Sequence, residues 1–247
     1  MTGLDALPVL SNAAGFGGWT CPAGWEAALD AFVTNPISAR PRRAAQGVRY
    51  AVCVGGVLLH TGHPNPGFQQ VRARYGKAWA RSPLPVWAHL LADDGLPRML
   101  DVLEESGEVA GVEVRLPSDC GSATARQVAH LCAGKLPVLV QVPWEAALAL
   151  GEAVFDAAGL PVSVGAPRGA VPAEGARGRL YGAGLFPLAV ELVARLAERG
   201  LPVVASGGVS SLADAQALLK AGARGVQLDL PLWGQLTFPA GWSPARR

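Results

Sequence analysis

The sequence predicts an α/β fold, a single closed (β/α)8 TIM barrel, and three observations lead there. Short apolar, β-branched runs recur eight times, each followed by a stretch with helical spacing or helix caps. The runs are nearly continuous in apolar residues, the pattern of parallel strands buried on both faces. The length of 247 residues suits one barrel, and a composition that is 50% hydrophobic and 16% charged supplies its core. An open doubly wound sheet would leave two edge strands to protect, so eight evenly spaced units favour closure.

The first predicted strand is Pro8 to Ala14, closed by Gly15, Gly17 and Gly18. A short helix through Ala27 to Phe32 leads to the second, Phe32 to Ile37, which Pro36 brings to an end. A connection spanning about 38–84 follows, with a hairpin-like apolar piece at Tyr50 to Leu59, a turn from His60 to Gly67 and a basic helix over Phe68 to Ala80. It is expected to be an excursion over the carboxyl-end mouth of the barrel, not a separate domain, so residues 1–247 form one domain. The third strand is Pro85 to Leu91, followed by a helix with Leu96, Leu100 and Leu103 on one side. The fourth is Gly111 to Leu116 with a helix through His130 and Leu131. The fifth is Leu136 to Val142 with a helix over Glu145 to Ala157. The sixth is Leu160 to Val164, followed by a glycine- and arginine-rich loop and a helix over Pro187 to Arg199.

The stretch Leu201 to Leu230 supplies the last two strands and is the clearest βαβ unit. Leu201 to Ala205 is a strand, Gly207-Gly208 a tight turn, and Ser210 or Ser211 a helix cap with Asp214 in the first turn. Ala213, Ala217, Leu218 and Ala221 form its apolar stripe, Gly222 ends it, and Gly225 to Leu228 is the final strand. Function is expected at the carboxyl ends of the strands, where Gly207-Gly208 and Asp229-Leu230 fall.

No apolar run approaches the roughly 18 residues of a membrane span, and the start lacks a basic and apolar leader, so a cytoplasmic protein without a membrane segment is expected. Cys21, Cys53, Cys120 and Cys132 have no CxxC spacing and read as reduced thiols. Net charge is +2 but unevenly placed. Between Asp30 and Asp93 there is no acidic residue, while Arg40, Arg42, Arg43, Arg49, Arg72, Arg74, Lys77 and Arg81 lie there. This asymmetry points to an anionic small molecule or to a protein partner on segment 40–81, unless the arginines form a solvated face. They lack the interleaved aromatics of single-strand nucleic-acid binders. An oligomer is expected.

Gly207-Gly208 after the seventh strand can offer backbone N–H groups to a phosphate. Arg115, Arg168, Arg177 and Arg179 fall near the mouth and can hold an anion. His60 and His63 have a spacing that can share a metal, but no third ligand lies nearby and no metal is expected. Cys120 has no histidine partner for a thiolate nucleophile.

The segment ASGGVSSLADAQALLKAGARGVQL resembles the phosphate-binding segment of the dihydroorotate dehydrogenases, FMN-dependent barrels of pyrimidine biosynthesis. Other pieces follow in the family's order and spacing: SNAAGFGG at Ser11 to Gly18, VTNPIS at Val33 to Ser38, GHPNPG at Gly62 to Gly67, GVEVRLPSDC at Gly111 to Cys120, and GRLYG at Gly178 to Gly182 with Pro187 beyond it. The resemblance implies an FMN oxidoreductase site. Ala13, Ala14, Gly15, Asn35, Gln141, Gly182, Gly207 and Gly208 would meet the cofactor. Asn65, Arg115 and Arg179 would meet substrate or another anion, and Ser118 would be the catalytic base.

The side chains depart from that pattern. The family's lysine at the end of strand two falls on Asn35, and the strand-five lysine on Gln141. The orotate-gripping asparagine before the turn falls on Leu59. The fourth-strand Asn-x-Ser-(Cys or Ser)-Pro-Asn motif becomes Arg115-Leu116-Pro117-Ser118-Asp119-Cys120. The sixth-strand Asn and Thr become Gly165 and Ala166, and the Gly-Thr pair after strand eight becomes Asp229-Leu230. Flavin chemistry needs a base and a cation at the flavin's N1–C2 edge. With those groups replaced, FMN is not expected to bind well, and a diverged binding or structural subunit with lost or altered catalysis is the favoured expectation. The alternatives are an active FMN-dependent oxidoreductase of this type and a barrel enzyme on another anionic substrate.

Overall fold

A computed structural model describes residues 7–134 and 136–229. In chain order these contain β1 (Leu10–Asn12), β2 (Phe32–Val33), β3 (Tyr50–Cys53), β4 (Gly56–Leu59), α1 (Phe68–Trp79), β5 (Val86–Leu91), α2 (Leu96–Ser106), β6 (Gly111–Arg115), α3 (Ser122–Cys132), β7 (Val138–Val142), α4 (Ala147–Ala158), β8 (Val162–Val164), β9 (Arg168–Val171), β10 (Ala176–Tyr181), α5 (Phe186–Glu198), β11 (Val203–Ala205), α6 (Leu212–Lys220) and β12 (Gly225–Leu228). Leu230 lies outside the described residues.

Eight strands form one parallel sheet in the order β1-β12-β11-β8-β7-β6-β5-β2. The remaining seam, between β1 and β2, is sealed by a single parallel bridge from Ser11 to Ala31 and by a side chain. Asn12, fully buried, accepts from Val33 N at 2.7 Å through Oδ1 and donates to Val33 O at 2.7 Å through Nδ2, imitating one rung of a ladder. The nearly closed (β/α)8 barrel read from the strand rhythm is therefore the fold.

Along β5, alternate residues Trp87, His89 and Leu91 point into the lumen, as the strand period of two requires. The floor is apolar, with Ala31, Val33, Trp87, Leu139 and Val204 packed together. Above it lies a buried polar layer, His89, Glu113, Ser163 and Gln227, and above that the mouth. The outward faces pack on the helices: Leu96, Leu100 and Leu103 of α2, on the side expected, are all buried.

Four local expectations differ. The helix expected to run to Phe32 is only a single 3₁₀ turn, Trp25–Ala27, because Phe32 is already in β2 and Asp30 turns back to accept from Leu10 N. The second strand is regular only over Phe32–Val33 and resumes as an isolated bridge at Ile37, Pro36 having no N–H to give. The apolar stripe of α6 is carried by Ala215 and Leu218, with Ala213 exposed. Ser211 is its cap, accepting from Asp214 N at 3.2 Å. The arginine-rich loop after β8 is an antiparallel hairpin, β9–β10, which periodicity hid because glycines interrupt both strands. It joins β3 and β4 in a second sheet, order β3-β4-β10-β9. Gly178 and Gly182 permit this: a Cβ at either would lie 2.4 Å or less from the backbone oxygens of Leu59 and Gly55.

Candidate functional site

Where the inward positions of the strands end, the lumen opens into a cavity of about 410 Å³, the size of a small-ligand pocket. Ala13, Leu91, Arg115, Gln141, Gly165, Ser206 and Asp229 form its base, each at or just past a strand's carboxyl end. The second sheet supplies a wall through Leu59, Gly178, Arg179 and Tyr181. Residues 60–63 and Arg42 close another side, and Ala14, Gly15 and Phe16 lean in from the loop after β1. Phe16 meets Tyr181 edge to face at 5.5 Å between ring centres.

Two guanidinium groups, Arg115 and Arg179, face the cavity, and the Asp229 carboxylate lies at its base. Burial and the neighbouring Arg179 guanidinium draw Arg115 down to about 9, which leaves it charged at neutral pH. Burial also lowers Arg179, although Tyr181 pulls it the other way. Arg179 Nη1 donates to Ala166 O at 3.2 Å, and no carboxylate among the described residues is hydrogen-bonded to either guanidinium. Of the acidic residues on the wall, Asp93 is committed to the amides of Ala39 and Gly95, at 2.9 and 3.0 Å. Asp119 stands exposed at the rim. His63 is drawn down to about 2 by burial and then by Arg115, so it faces the cavity as a neutral imidazole.

Glu113 ties the layer beneath. It accepts from His89 Nδ1 at 2.6 Å, Ser163 Oγ at 2.6 Å and Gln227 Nε2 at 2.9 Å. Burial would raise its pKa, but these three hydrogen bonds, that from His89 first, hold it below the ordinary range. His89 is lowered by burial despite the pull of Glu113, so the pair is a neutral imidazole donating to a carboxylate. His89 Nε2 has no hydrogen-bond partner. A histidine that protonates when unfolded but stays neutral when folded makes acid destabilising. Stability should be constant above the ordinary histidine value of 6.5 and fall below it, by about 1.4 kcal/mol per pH unit for His89, with Glu113 adding to the loss below about 4.5. Melting temperatures recorded from neutral pH to about 5 check this, and a flat profile there would contradict a neutral His89.

Of the residues singled out in the sequence, Ala13, Ala14, Gly15, Gln141, Arg115, Arg179 and Ser118 line the cavity. Ser118 stands exposed at the rim, where Arg168 Nη1 donates to its Oγ at 3.0 Å. Asn35 is not on the wall: its Oδ1 accepts from Gly18 N at 3.2 Å and steadies the loop after β1. Nor is Asn65, which is buried in a knot with Ser38, His63 O and Gly67 N. Arg177 is exposed away from the cavity, while Arg168 reaches it. Cys120 is raised by burial and by Asp119, the reverse of an activated thiol. Among the described residues no cluster of His, Cys, Asp or Glu could hold a metal, and no helix is long and apolar enough to cross a membrane.

Gly182, Gly207 and Gly208 also lie off the cavity wall. Gly208 N donates to Asp229 Oδ2 at 3.2 Å, and Asp229 is 2% exposed. A Cβ on Gly208 would lie 2.6 Å from Phe186 N and 3.0 Å from Gly182 O, and Gly207 lies against the Trp144 ring. The amide that could have met a phosphate is thus taken by a carboxylate, and these residues do not fit an FMN phosphate. His63, Tyr181 and Phe16 were not read as ligand-facing. Tyr181 could have been found by alternation from Arg179 once a strand was assumed there.

No protein-family profile and no curated protein sequence matches the chain. Among solved structures, that of the dihydroorotate dehydrogenase (DHODH) of Eimeria tenella in complex with ferulenol is similar, with a TM-score of 0.73 over 90% of this chain and 75% of that one, at 14% identity. At that identity the likeness is one of fold, a DHODH-like TIM barrel.

Proposed function

We propose that this DHODH-like barrel binds a small anionic molecule at its mouth and has lost the flavin-dependent oxidation of dihydroorotate. The observation that carries the reading is the pair Arg115 and Arg179, two half-buried cations facing one cavity, with no carboxylate among the described residues hydrogen-bonded to them. Desolvated like charges held side by side are costly, and an anion between them offsets that cost. Arginine suits the task, since its planar fork grips carboxylate or phosphate through two parallel bonds.

Three features support the loss of flavin chemistry. Asn35 and Gln141 stand where the resemblance places lysines, so the cations the resemblance assigns to a reduced flavin are replaced by neutral amides. Ser118, the candidate base, is held by Arg168. Asp229 occupies the Gly208 amide, and a carboxylate about 5 Å from a phosphate at an effective dielectric near 20 costs about 3 kcal/mol per unit charge. That is over a hundredfold in affinity, at roughly 1.4 kcal/mol per decade.

Titration with FMN, and separately with phosphate, sulfate and malonate, tests both halves. No flavin absorbance is expected to be retained at micromolar FMN. A fitting anion at a hundred times its Kd is expected to raise the melting temperature by roughly 5–10 °C. Micromolar FMN binding together with dihydroorotate turnover that is lost on Ser118→Ala would restore the oxidoreductase reading. Indifference to every anion would remove the binding one.

A further inference from the structure

Among the described residues β3 is the outer strand of the second sheet and pairs only with β4. His60 N donates to Arg49 O at 2.7 Å, and Arg49 faces His60 by continuation of the Tyr50–Leu59 register. Bonded pairs recur at every second residue of an antiparallel ladder. Arg49, Ala51 and Cys53 therefore turn their backbone groups towards β4, while Tyr50 and Val52 turn theirs outward. No hydrogen bond reaches those outward groups among the described residues. The side chains beside them are bare: Val48 is 43% exposed, Tyr50 69%, Val52 71% and Val54 107%. Natural edge strands of this kind are covered, bulged or blocked by proline or charge, and here the charge nearby in sequence is Arg49, exposed and one residue before the strand, with the exposed Arg43 upstream of it.

We infer that β3 is a docking edge that adds an extended strand of another protein, one with alternating β-branched residues and Asp or Glu at its ends. Charge selects this occupant. With no acidic residue between Asp30 and Asp93, a second copy would bring two arginine-flanked edges together, whereas an acidic strand would complement them. A lipid surface would leave the outward N–H and C=O groups unpaired in hydrocarbon. Single-stranded nucleic acid needs a stacking platform, and the edge offers Tyr50 alone. Strand addition satisfies the backbone and gives alternate side chains a surface to pack on. This inference stands apart from the anion reading, since neither Tyr50 nor Val52 lines the cavity.

The probe is a labelled peptide of alternating valine and threonine with two glutamates at each end, followed by fluorescence anisotropy against the full chain. It is expected to bind, to weaken roughly tenfold as salt rises to about 0.5 M, and to protect the Tyr50 and Val52 amides from hydrogen exchange. Val52→Pro removes an outward N–H that β4 does not use, so it should keep the fold by circular dichroism and the anion response while weakening the peptide at least tenfold. Arg43→Glu with Arg49→Glu should switch preference to a lysine-ended peptide. Failure of the acidic peptide to bind at millimolar concentration overturns the inference, as does equal binding by Val52→Pro. A dimer in solution that Val52→Pro dissociates would assign the edge to a second copy. Tighter binding of oligo(dT) or of phosphatidylserine vesicles, lost on the double arginine change, would assign it to nucleic acid or to membrane.

Discussion

Glu113→Ala is expected to lower the melting temperature by roughly 10 °C, a loss of about 3–5 kcal/mol. Its carboxylate gathers donors from β5, β8 and β12 as well as standing on β6, so one side chain joins four strands across the lumen. Removal leaves the buried donors of His89, Ser163 and Gln227 without an acceptor, each costing about 1–3 kcal/mol unless it re-pairs, and opens a void. Glu113→Gln keeps the shape but sets an amide N–H₂ against donors, and should fall between the two. Urea unfolding followed by circular dichroism measures it. A loss under about 1 kcal/mol would show that the lumen does not depend on this acceptor.

Arg115→Met should act on binding and stability in opposite directions. If Arg115 grips the anion, losing a charged, bidentate donor in a desolvated site should weaken affinity by about a hundredfold. The same change removes a cation whose burial and whose neighbour Arg179 both disfavour its charge, so the ligand-free protein should melt higher, by roughly 2–4 °C for about 1 kcal/mol. Calorimetric titration and thermal melts on one preparation give both numbers. Weaker binding together with a lower melting temperature would instead mark Arg115 as part of the scaffold.

The barrel was legible because its strands are continuous apolar runs and its caps are local: Ser211 and Gly222 mark α6 within a few residues of their effect. The second sheet was half legible. β3 and β4 are joined by a two-residue turn, Val54-Gly55, and read as a hairpin, whereas β9 and β10 are interrupted by glycine and arginine and read as loop. The site was harder for a related reason. Asn35 and Asn65 sit at the positions a family pattern would make functional, yet each spends its amide on nearby backbone. Only their bonding partners separate that role from ligand contact. Asp229 shows the reverse: its place after the last strand flagged it, but its direction depended on a register that β1 fixes by pairing Ser11 with Gln227. His89 and Glu113 carried a signal that went unused, two ionisable residues at inward positions of otherwise apolar strands.

The second sheet joins parts of the chain that are distant in sequence. Val57 faces Tyr181 and Leu59 faces Arg179, pairs about half the chain apart. Closing so long a loop costs entropy that is recovered only after the intervening strands have assembled. The mouth sheet, held by short strands and partly exposed, is expected to open ahead of the barrel, so its amides should exchange faster than those of the lumen. Occupancy of the cavity, which Arg115 lines from the barrel and Arg179 from this sheet, would slow that opening as well as raise the melting temperature, so the ligand would act as a clasp between the two sheets.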